Sequence, residues 1–150
     1  RQQSGGTTVM VTRVPNRAKQ QDLLKIWFQL GFKHSIILFY LPMDFRQRRN
    51  IGYCFVDLVC PEKAAAFIEK VHGTTLDGTR KVLEASLART QGFAANFWSI
   101  WDSAVLRNTV ANRFRPVIFD PDTCRELVFP PALADTERPD TTWSTGAAPV

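Results

Sequence analysis

Residues 51–58, with the sequence IGYCFVDL, constrain the fold of this chain more than any other stretch. Successive side chains of a β-strand point to opposite faces of a sheet. Tyr53 and Phe55 therefore share one face, whereas Cys54 and Val56 share the other. One interpretation is an ordinary half-buried strand whose rings pack inside a core. The other is a strand that presents both rings on an open sheet face, and the octamer alone does not decide between them.

Hydrophobic periodicity predicts four strands and two helices. Alternation of apolar residues predicts strands at about residues 8–14, 35–41, 52–59 and 81–88, and helical spacing predicts helices at about residues 18–30 and 61–71. Pro42 stops the second strand, Gly31 ends the first helix, and Pro61 begins the second helix. The order β-α-β-β-α-β is the ferredoxin-like plan, an α+β fold in which two helices cover one face of a four-stranded antiparallel sheet. Many unrelated activities share this plan, so it names no function.

An extension follows the fourth strand. Phe93, Phe97 and Trp101 recur every four residues with Trp98 beside them, which predicts an amphipathic helix at about residues 92–106. We expect this stripe to be core, although a helix docked on the open sheet face would cover Tyr53 and Phe55.

The boundaries of the domain follow from the same patterns. Residues 113–119 have an extended pattern, and Pro, Thr, Ala and acidic residues dominate from residue 120. The predicted organisation is one domain at residues 7–119, a flexible N-terminus at residues 1–6, and a poorly ordered acidic, Pro/Thr-rich tail at residues 120–150. The first residues contain neither an initiator Met nor an apolar signal segment, so we expect a fragment of a longer protein.

Charge is divided unevenly along the chain. Residues 1–119 contain 17 Lys and Arg against 8 Asp and Glu, whereas residues 120–150 contain 2 against 6. A basic body of net charge +9 suits a polyanionic ligand. The three cysteines lack metal-binding spacing and predict reduced thiols in an intracellular protein, namely Cys54, Cys60 and Cys124.

Several short motifs occur in a fixed order: TTVMV at residues 7–11, VPN at 14–16, LPMDF at 41–45, NIGYCFV at 50–56, ARTQG at 88–92 and RPVIF at 115–119. Together they resemble the C-terminal RNA recognition motif of Mei-two-like proteins, RNA-binding regulators of meiosis and development, whose octamer signature corresponds to residues 51–58. The resemblance implies RNA binding on the sheet and a structured C-terminal extension. Ile51 departs from the signature, where Lys or Arg is usual, and Arg13 stands where this group tends to have Asn.

The candidate RNA-binding residues include a stacking set. Unpaired bases would stack on Tyr53 and Phe55. Phe39 of the neighbouring strand is predicted to point to the same face, because Leu38 and Tyr40 fit the helix side better. A third stacking position carries a thioether that packs less selectively on a base, at Met10.

A charged set would hold the RNA backbone and the edges of the bases. Three arginines lie in the loop between the second and third strands, namely Arg46, Arg48 and Arg49. They can pair with phosphates at the rim of the open face, although a solvated turn is the alternative. Arg89 and Gln91 follow the fourth strand, where side chains can reach bases. Arg17 and Lys19 are weaker candidates.

Two other classes of function stay open at this point. A protein-interaction module could bind a peptide or partner domain through the sheet or through Trp98 and Trp101. An enzyme has the least support, because no nucleophile is paired with a base and both His34 and His72 are isolated. We expect no enzymatic activity, no cofactor, no metal and no membrane span. The expected molecule is a monomer that binds single-stranded RNA in the nucleus or cytoplasm.

Overall fold

The computed structural model describes residues 5–44, 46–76, 78–101 and 116–127 of the 150. The strands are β1 (Thr8–Thr12), β2 (Ile36–Tyr40), β3 (Met43–Asp44), β4 (Arg49–Asn50), β5 (Tyr53–Leu58), β6 (Glu84–Leu87), β7 (Val117–Phe119) and β8 (Glu126–Leu127). The α-helices are α1 (Gln20–Trp27), α2 (Pro61–Val71) and α3 (Phe93–Trp101). One sheet has the strand order β6-β1-β5-β2-β7-β8, and β3 pairs with β4 in a separate small hairpin.

The predicted β-α-β-β-α-β order is confirmed by β1, α1, β2, β5, α2 and β6. All pairings in the sheet are antiparallel. Among the described residues the sheet has six strands rather than the predicted four, because the C-terminal extension adds β7 at the free edge of β2 and β8 beyond it. Val117 lies opposite Phe39 and Ile118 opposite Leu38. The β7–β8 hairpin crosses the boundary predicted at residue 119, while residues 128–150 lie outside the described part.

The two predicted helices pack on one face of the sheet. Trp27 of α1 and Phe67 of α2 meet edge to face, with ring centroids 5.1 Å apart. Alternate residues of the strands point toward the helices and complete this core. Val9 and Val11 of β1 are examples, and both are fully buried. Helix α1 continues into a π-helical turn at Phe28–Phe32, inside which Gly31 has a φ of 103°. A left-handed φ costs glycine little conformational energy. Gly31 therefore interrupts the regular helix at the position that the sequence predicts.

The prediction that Phe39 points to the open face is wrong. Its side chain is 0% exposed and belongs to the core beneath the helices, where it lies opposite Val56. A register shift between Ile36 and Leu38 places both Ile36 and Phe39 on the helix side. Leu38 and Tyr40 therefore point to the other face, opposite to the sequence-based prediction.

Among the described residues, no helix combines the length and hydropathy that a bilayer crossing requires. All three cysteines are free thiols. Cys54 is fully buried in the core, and its burial raises the pKa of its thiol.

Candidate nucleic-acid interface

The face of the sheet opposite α1 and α2 has Tyr53 and Phe55 at its centre. Both side chains are half-buried, and their rings meet edge to face with centroids 5.5 Å apart. Met10 of β1 lies opposite Phe55 on one side, and Tyr40 of β2 lies opposite Phe55 on the other. Thr12 lies opposite Tyr53. The structure thus brings Met10, Tyr53 and Phe55 together as predicted, while their contact with RNA stays a prediction.

Tyr40 is the aromatic residue of this face that the sequence analysis assigned to the wrong side. Burial raises the pKa of its phenol, and the neighbouring Tyr53 raises it further. The signal that could have identified it is chemical. A tyrosine hydroxyl needs a polar or aqueous neighbour, whereas Phe39 has no polar atom and suits a dry core.

Helix α3 packs on the other part of this same face. Phe97, Trp98 and Ile100 form a second hydrophobic cluster with two sheet residues, Leu38 of β2 and Ile118 of β7. Phe97 and Trp98 of the aromatic stripe are therefore core, as expected, whereas Phe93 is exposed, and this core is built on the sheet face rather than at the sheet edge. Tyr53 and Phe55 remain only half-buried. The predicted continuation of this helix past residue 101 lies outside the described residues.

A polar network joins the start of α3 to β1. Asn96 donates from Nδ2 to the Thr8 hydroxyl at 3.3 Å and to the Gly92 carbonyl at 2.8 Å. The Gly92 amide donates to the same hydroxyl at 3.0 Å. Asn96 is 6% exposed and Thr8 is 1% exposed, so these bonds satisfy polar groups between helix and sheet.

Asp57 continues the row of Tyr53 and Phe55 but is 1% exposed. Its Oδ1 atom accepts from the hydroxyls of Thr8 at 2.8 Å and Thr7 at 3.0 Å. Its Oδ2 atom has no hydrogen-bond partner within the described residues. Burial raises the pKa of the carboxyl, and the two hydroxyl bonds offset this only in part.

Gln91 has a structural role that the sequence analysis did not identify. Its Oε1 accepts from the amides of Thr7 at 2.8 Å and Thr8 at 2.9 Å. Its Nε2 donates to the carbonyls of Thr8 at 2.8 Å and Ala88 at 2.7 Å. Both ends of the amide are engaged with backbone, so a base could bind Gln91 only by replacing these bonds. Arg89, by contrast, is exposed.

The predicted basic loop is the turn of the β3–β4 hairpin. Arg46, Arg48 and Arg49 are all exposed. Asp44 holds the turn, because its Oδ1 accepts from the amides of Arg46 at 2.9 Å and Gln47 at 3.3 Å. The Arg49 guanidinium donates to the side-chain oxygen of Gln47. The loop is therefore a defined turn that presents its cations to solvent.

The isolated histidines have structural partners. His72 Nδ1 accepts from the Ala85 amide at 3.1 Å, and His34 Nδ1 lies in hydrogen-bond contact with the Cys124 sulfur. Among the described residues, no group of three or more His, Cys, Asp or Glu side chains could hold a metal ion.

A family model described as RNA recognition motif 2 matches residues 6–99. Protein MEI2-like 5 of Oryza sativa subsp. japonica is 30% identical over 117 residues, which cover 77% of this chain and 14% of that protein. Protein MEI2-like 3 of Arabidopsis thaliana is 31% identical over 118 residues, covering 76% of this chain and 15% of that protein. The chain thus spans only about 15% of the length of these relatives.

Solved structures show the same fold. The Rna15 RRM with bound GU RNA matches with a TM-score of 0.51 at 17% identity, covering 59% of this chain and 89% of that chain. The N-terminal RNA binding domain of a hypothetical protein matches with a TM-score of 0.50 at 21% identity, covering 59% and 85%. At these identities the likeness concerns the fold, and it confirms the ferredoxin-like prediction.

Proposed function

Because the chain belongs to the RNA recognition motif 2 family and is a Mei2-like RNA recognition motif, it is an RNA-binding domain, and we propose that it binds single-stranded RNA on the part of the sheet face beside α3. The family is one of recognition domains, which confirms the prediction that the chain is not an enzyme. The resemblance to Mei-two-like proteins is confirmed as well.

The observation that carries the proposal is the pair of half-buried rings on the central strand, Tyr53 and Phe55. A half-buried ring on a sheet face leaves part of its π-surface for an unpaired base, and each such stack contributes about 1–3 kcal/mol. Met10 and Tyr40 flank Phe55 in the same row. Consecutive bases can therefore stack along this row only when they are not paired with a second RNA strand, which favours single-stranded RNA.

The cations support the same proposal. Arg46 and Arg48 project from the hairpin turn into solvent, and Arg89 lies exposed after β6. Guanidinium groups bind phosphates with paired hydrogen bonds, so these side chains would hold the backbone of an RNA whose bases stack on the sheet. Gln91 would act indirectly, by holding the start of β1 in place.

The alternative, in which a protein partner binds through Trp98 and Trp101, has less support. Trp98 is 3% exposed and packs with Leu38 and Ile118, so its ring is engaged within the domain. We propose further that the domain is a monomer and that it acts in the nucleus or cytoplasm, where single-stranded RNA is available.

The direct test replaces both rings. Tyr53→Ala combined with Phe55→Ala is expected to weaken single-stranded RNA binding by at least about thirtyfold, because two stacks are lost. Fluorescence anisotropy against a random single-stranded RNA pool measures the affinity, and circular dichroism checks the fold. Phe93→Ala is the matched control, since Phe93 is an aromatic residue 36% exposed on α3. Equal RNA affinity of the folded double variant and the control would contradict stacking on the sheet.

A further inference from the structure

A second charged feature lies beside the sheet face, outside the stacking row. A groove of about 780 Å³ separates the β1–α1 loop and the first turn of α1 from the β3–β4 hairpin. Four cationic side chains line it, two from each wall, namely Arg17, Lys19, Arg48 and Arg49. Asp22 is the one acidic residue among those that line it. We call this feature the basic groove.

The walls of the basic groove are held at a fixed separation by Asn50, which is 1% exposed. Its Nδ2 donates to the carbonyls of Pro15 and Ala18, both at 2.9 Å, and so joins the hairpin to the β1–α1 loop. Asn16 returns a bond from its own Nδ2 to the Asn50 carbonyl at 3.0 Å. A buried amide with several well-formed bonds makes the groove a built feature and not a gap between two mobile loops.

Three of the four groove cations are unpaired in the part of the chain that the structure describes. Within the described part of the chain, Arg17, Lys19 and Arg48 make neither a side-chain hydrogen bond nor an ion pair. Helix α1 begins at this groove, and its N-cap position, Lys19, makes no side-chain capping bond. The first backbone amides of the helix therefore direct the positive end of the helix dipole into the same groove. Like charges gathered around one groove repel each other, and an anion between them relieves that repulsion.

Hydrogen bonds link a wall of the basic groove to the segment that leads into Tyr53, because Asn16, which lines the groove, donates to the Asn50 carbonyl. Asn50 lies three residues before Tyr53, and the carbonyl of the intervening Gly52 accepts from the Val14 amide at 3.0 Å. Tyr53 therefore follows four residues after Arg49, which lines the groove, and the groove and the first ring of the row are close along the chain. When the bases of an RNA lie on Tyr53 and Phe55, its phosphate backbone continues past this end of the row. The positive charge of the groove attracts those phosphates.

We propose that the basic groove binds the phosphates of nucleotides that extend beyond those stacked on the sheet. Arg17 and Lys19 would contact these phosphates from one wall, and Arg48 and Arg49 of the hairpin would contact them from the other. This inference rests on the proposed function and extends it. It makes the β1–α1 loop part of the RNA site and gives the domain a footprint longer than the stacking row. The groove adds affinity without reading sequence, because phosphate contacts carry no base information.

The test compares RNA lengths on two charge-matched variants. Arg17→Gln with Lys19→Gln removes two groove cations, and Lys63→Gln with Lys70→Gln removes two exposed cations of α2. Affinities are measured for a short RNA of roughly three nucleotides, enough for the bases on the sheet, and for one of roughly nine nucleotides, within the range of single-strand sites. We expect the groove variant to bind the longer RNA about three- to thirtyfold more weakly and the short RNA with unchanged affinity. The α2 variant is expected to bind both like the parent.

The outcomes separate the two proposals. Equal loss in both variants, or equal loss on both RNA lengths, would overturn the groove proposal and leave stacking on the sheet intact. Failure of the parent protein to bind either RNA would overturn the proposed function and the groove with it. Amide resonances of Gln20 and Gln21 give an independent readout, since they should shift with the longer RNA and not with the short one. A shift with inorganic phosphate alone at similar concentration would overturn the assignment to RNA backbone.

Discussion

Asp57 is a carboxylate placed where its charge is disfavoured. It is 1% exposed, and one of its oxygens has no hydrogen-bond partner among the described residues. Burial raises the pKa of this carboxyl above its ordinary value of 3.8, so the folded protein holds the proton at higher pH than the unfolded chain does. A pKa raised by folding contributes stability that is complete below the unfolded pKa and is lost as the pH rises through the folded pKa.

Replacing Asp57 with asparagine removes that pH dependence. The side-chain oxygen of the new amide would still accept from the hydroxyls of Thr7 and Thr8. We therefore expect the free energy of unfolding of Asp57→Asn to increase relative to that of the parent as the pH rises from about 4 to about 7, because only the parent loses stability over this range. Urea denaturation at several pH values measures this difference, with the exposed Asp22→Asn as control. A difference that does not vary with pH would contradict the raised pKa.

At the scale of the elements, β2 divides its residues between two hydrophobic clusters. Phe39 belongs to the core under α1 and α2, whereas Leu38 belongs to the cluster that α3 builds on the opposite face. The strand is buried on both faces, so its side chains show no clean apolar-polar alternation. Packing on both sides, and not propensity, decides where each ring of this strand lies.

Two adjacent substitutions in β2 should separate stability from binding. Phe39→Leu leaves a cavity in the core, and we expect a loss of about 1–3 kcal/mol in the free energy of unfolding with unchanged RNA affinity of the folded protein. Tyr40→Leu removes a ring from the stacking row and should weaken RNA binding by about 1 kcal/mol or more. Urea denaturation and fluorescence anisotropy on both variants measure the two effects. A reversed pattern would mean that Phe39, not Tyr40, serves the RNA face.

The sequence predicts the elements better than it predicts their faces. Pro61, Gly31 and the alternation around Tyr53 are local signals, and the structure agrees with each of them. The register shift after Ile36 depends on how β2 pairs with β5, which no local pattern encodes. The same limit applies to β7 and β8, whose short segments become strands only because the edge of β2 is there to pair with them.

The candidate site is predictable to a similar degree. Tyr53, Phe55 and the hairpin arginines follow from spacing and from the resemblance of the octamer. Gln91 does not, because its four hydrogen bonds join it to backbone more than 80 residues away and to a nearby carbonyl. A glutamine is equally able to contact a base or a backbone, and only the fold decides which partner it meets.

The whole molecule combines a basic body with a two-sided hydrophobic core. Residues 1–119 carry a net charge of +9, and residues 120–150 carry −4. The sheet is covered by α1 and α2 on one side and in part by α3 on the other. The remaining open part of the sheet lies between the α3 cluster and the hairpin that carries Arg46, Arg48 and Arg49. The charge and the open aromatic surface are thus adjacent, which is the arrangement that a polyanion with stacking bases requires.

This arrangement makes RNA affinity depend on salt. Each phosphate of a single strand that a cation neutralises releases bound counterions into solution. Each such contact contributes about −0.7 to the slope of the logarithm of affinity against the logarithm of salt concentration. Replacing Arg46, Arg48 and Arg49 with Gln should reduce the slope by about 2 and weaken RNAs of all sequences alike, because phosphate contacts carry no base information. The matched control replaces three exposed lysines of the helices, Lys25, Lys63 and Lys70, with Gln. If binding were instead nearly independent of salt in the parent, or equally reduced in both triple variants, the hairpin would not be a phosphate contact, and a salt-insensitive ligand such as an apolar peptide would fit the face better.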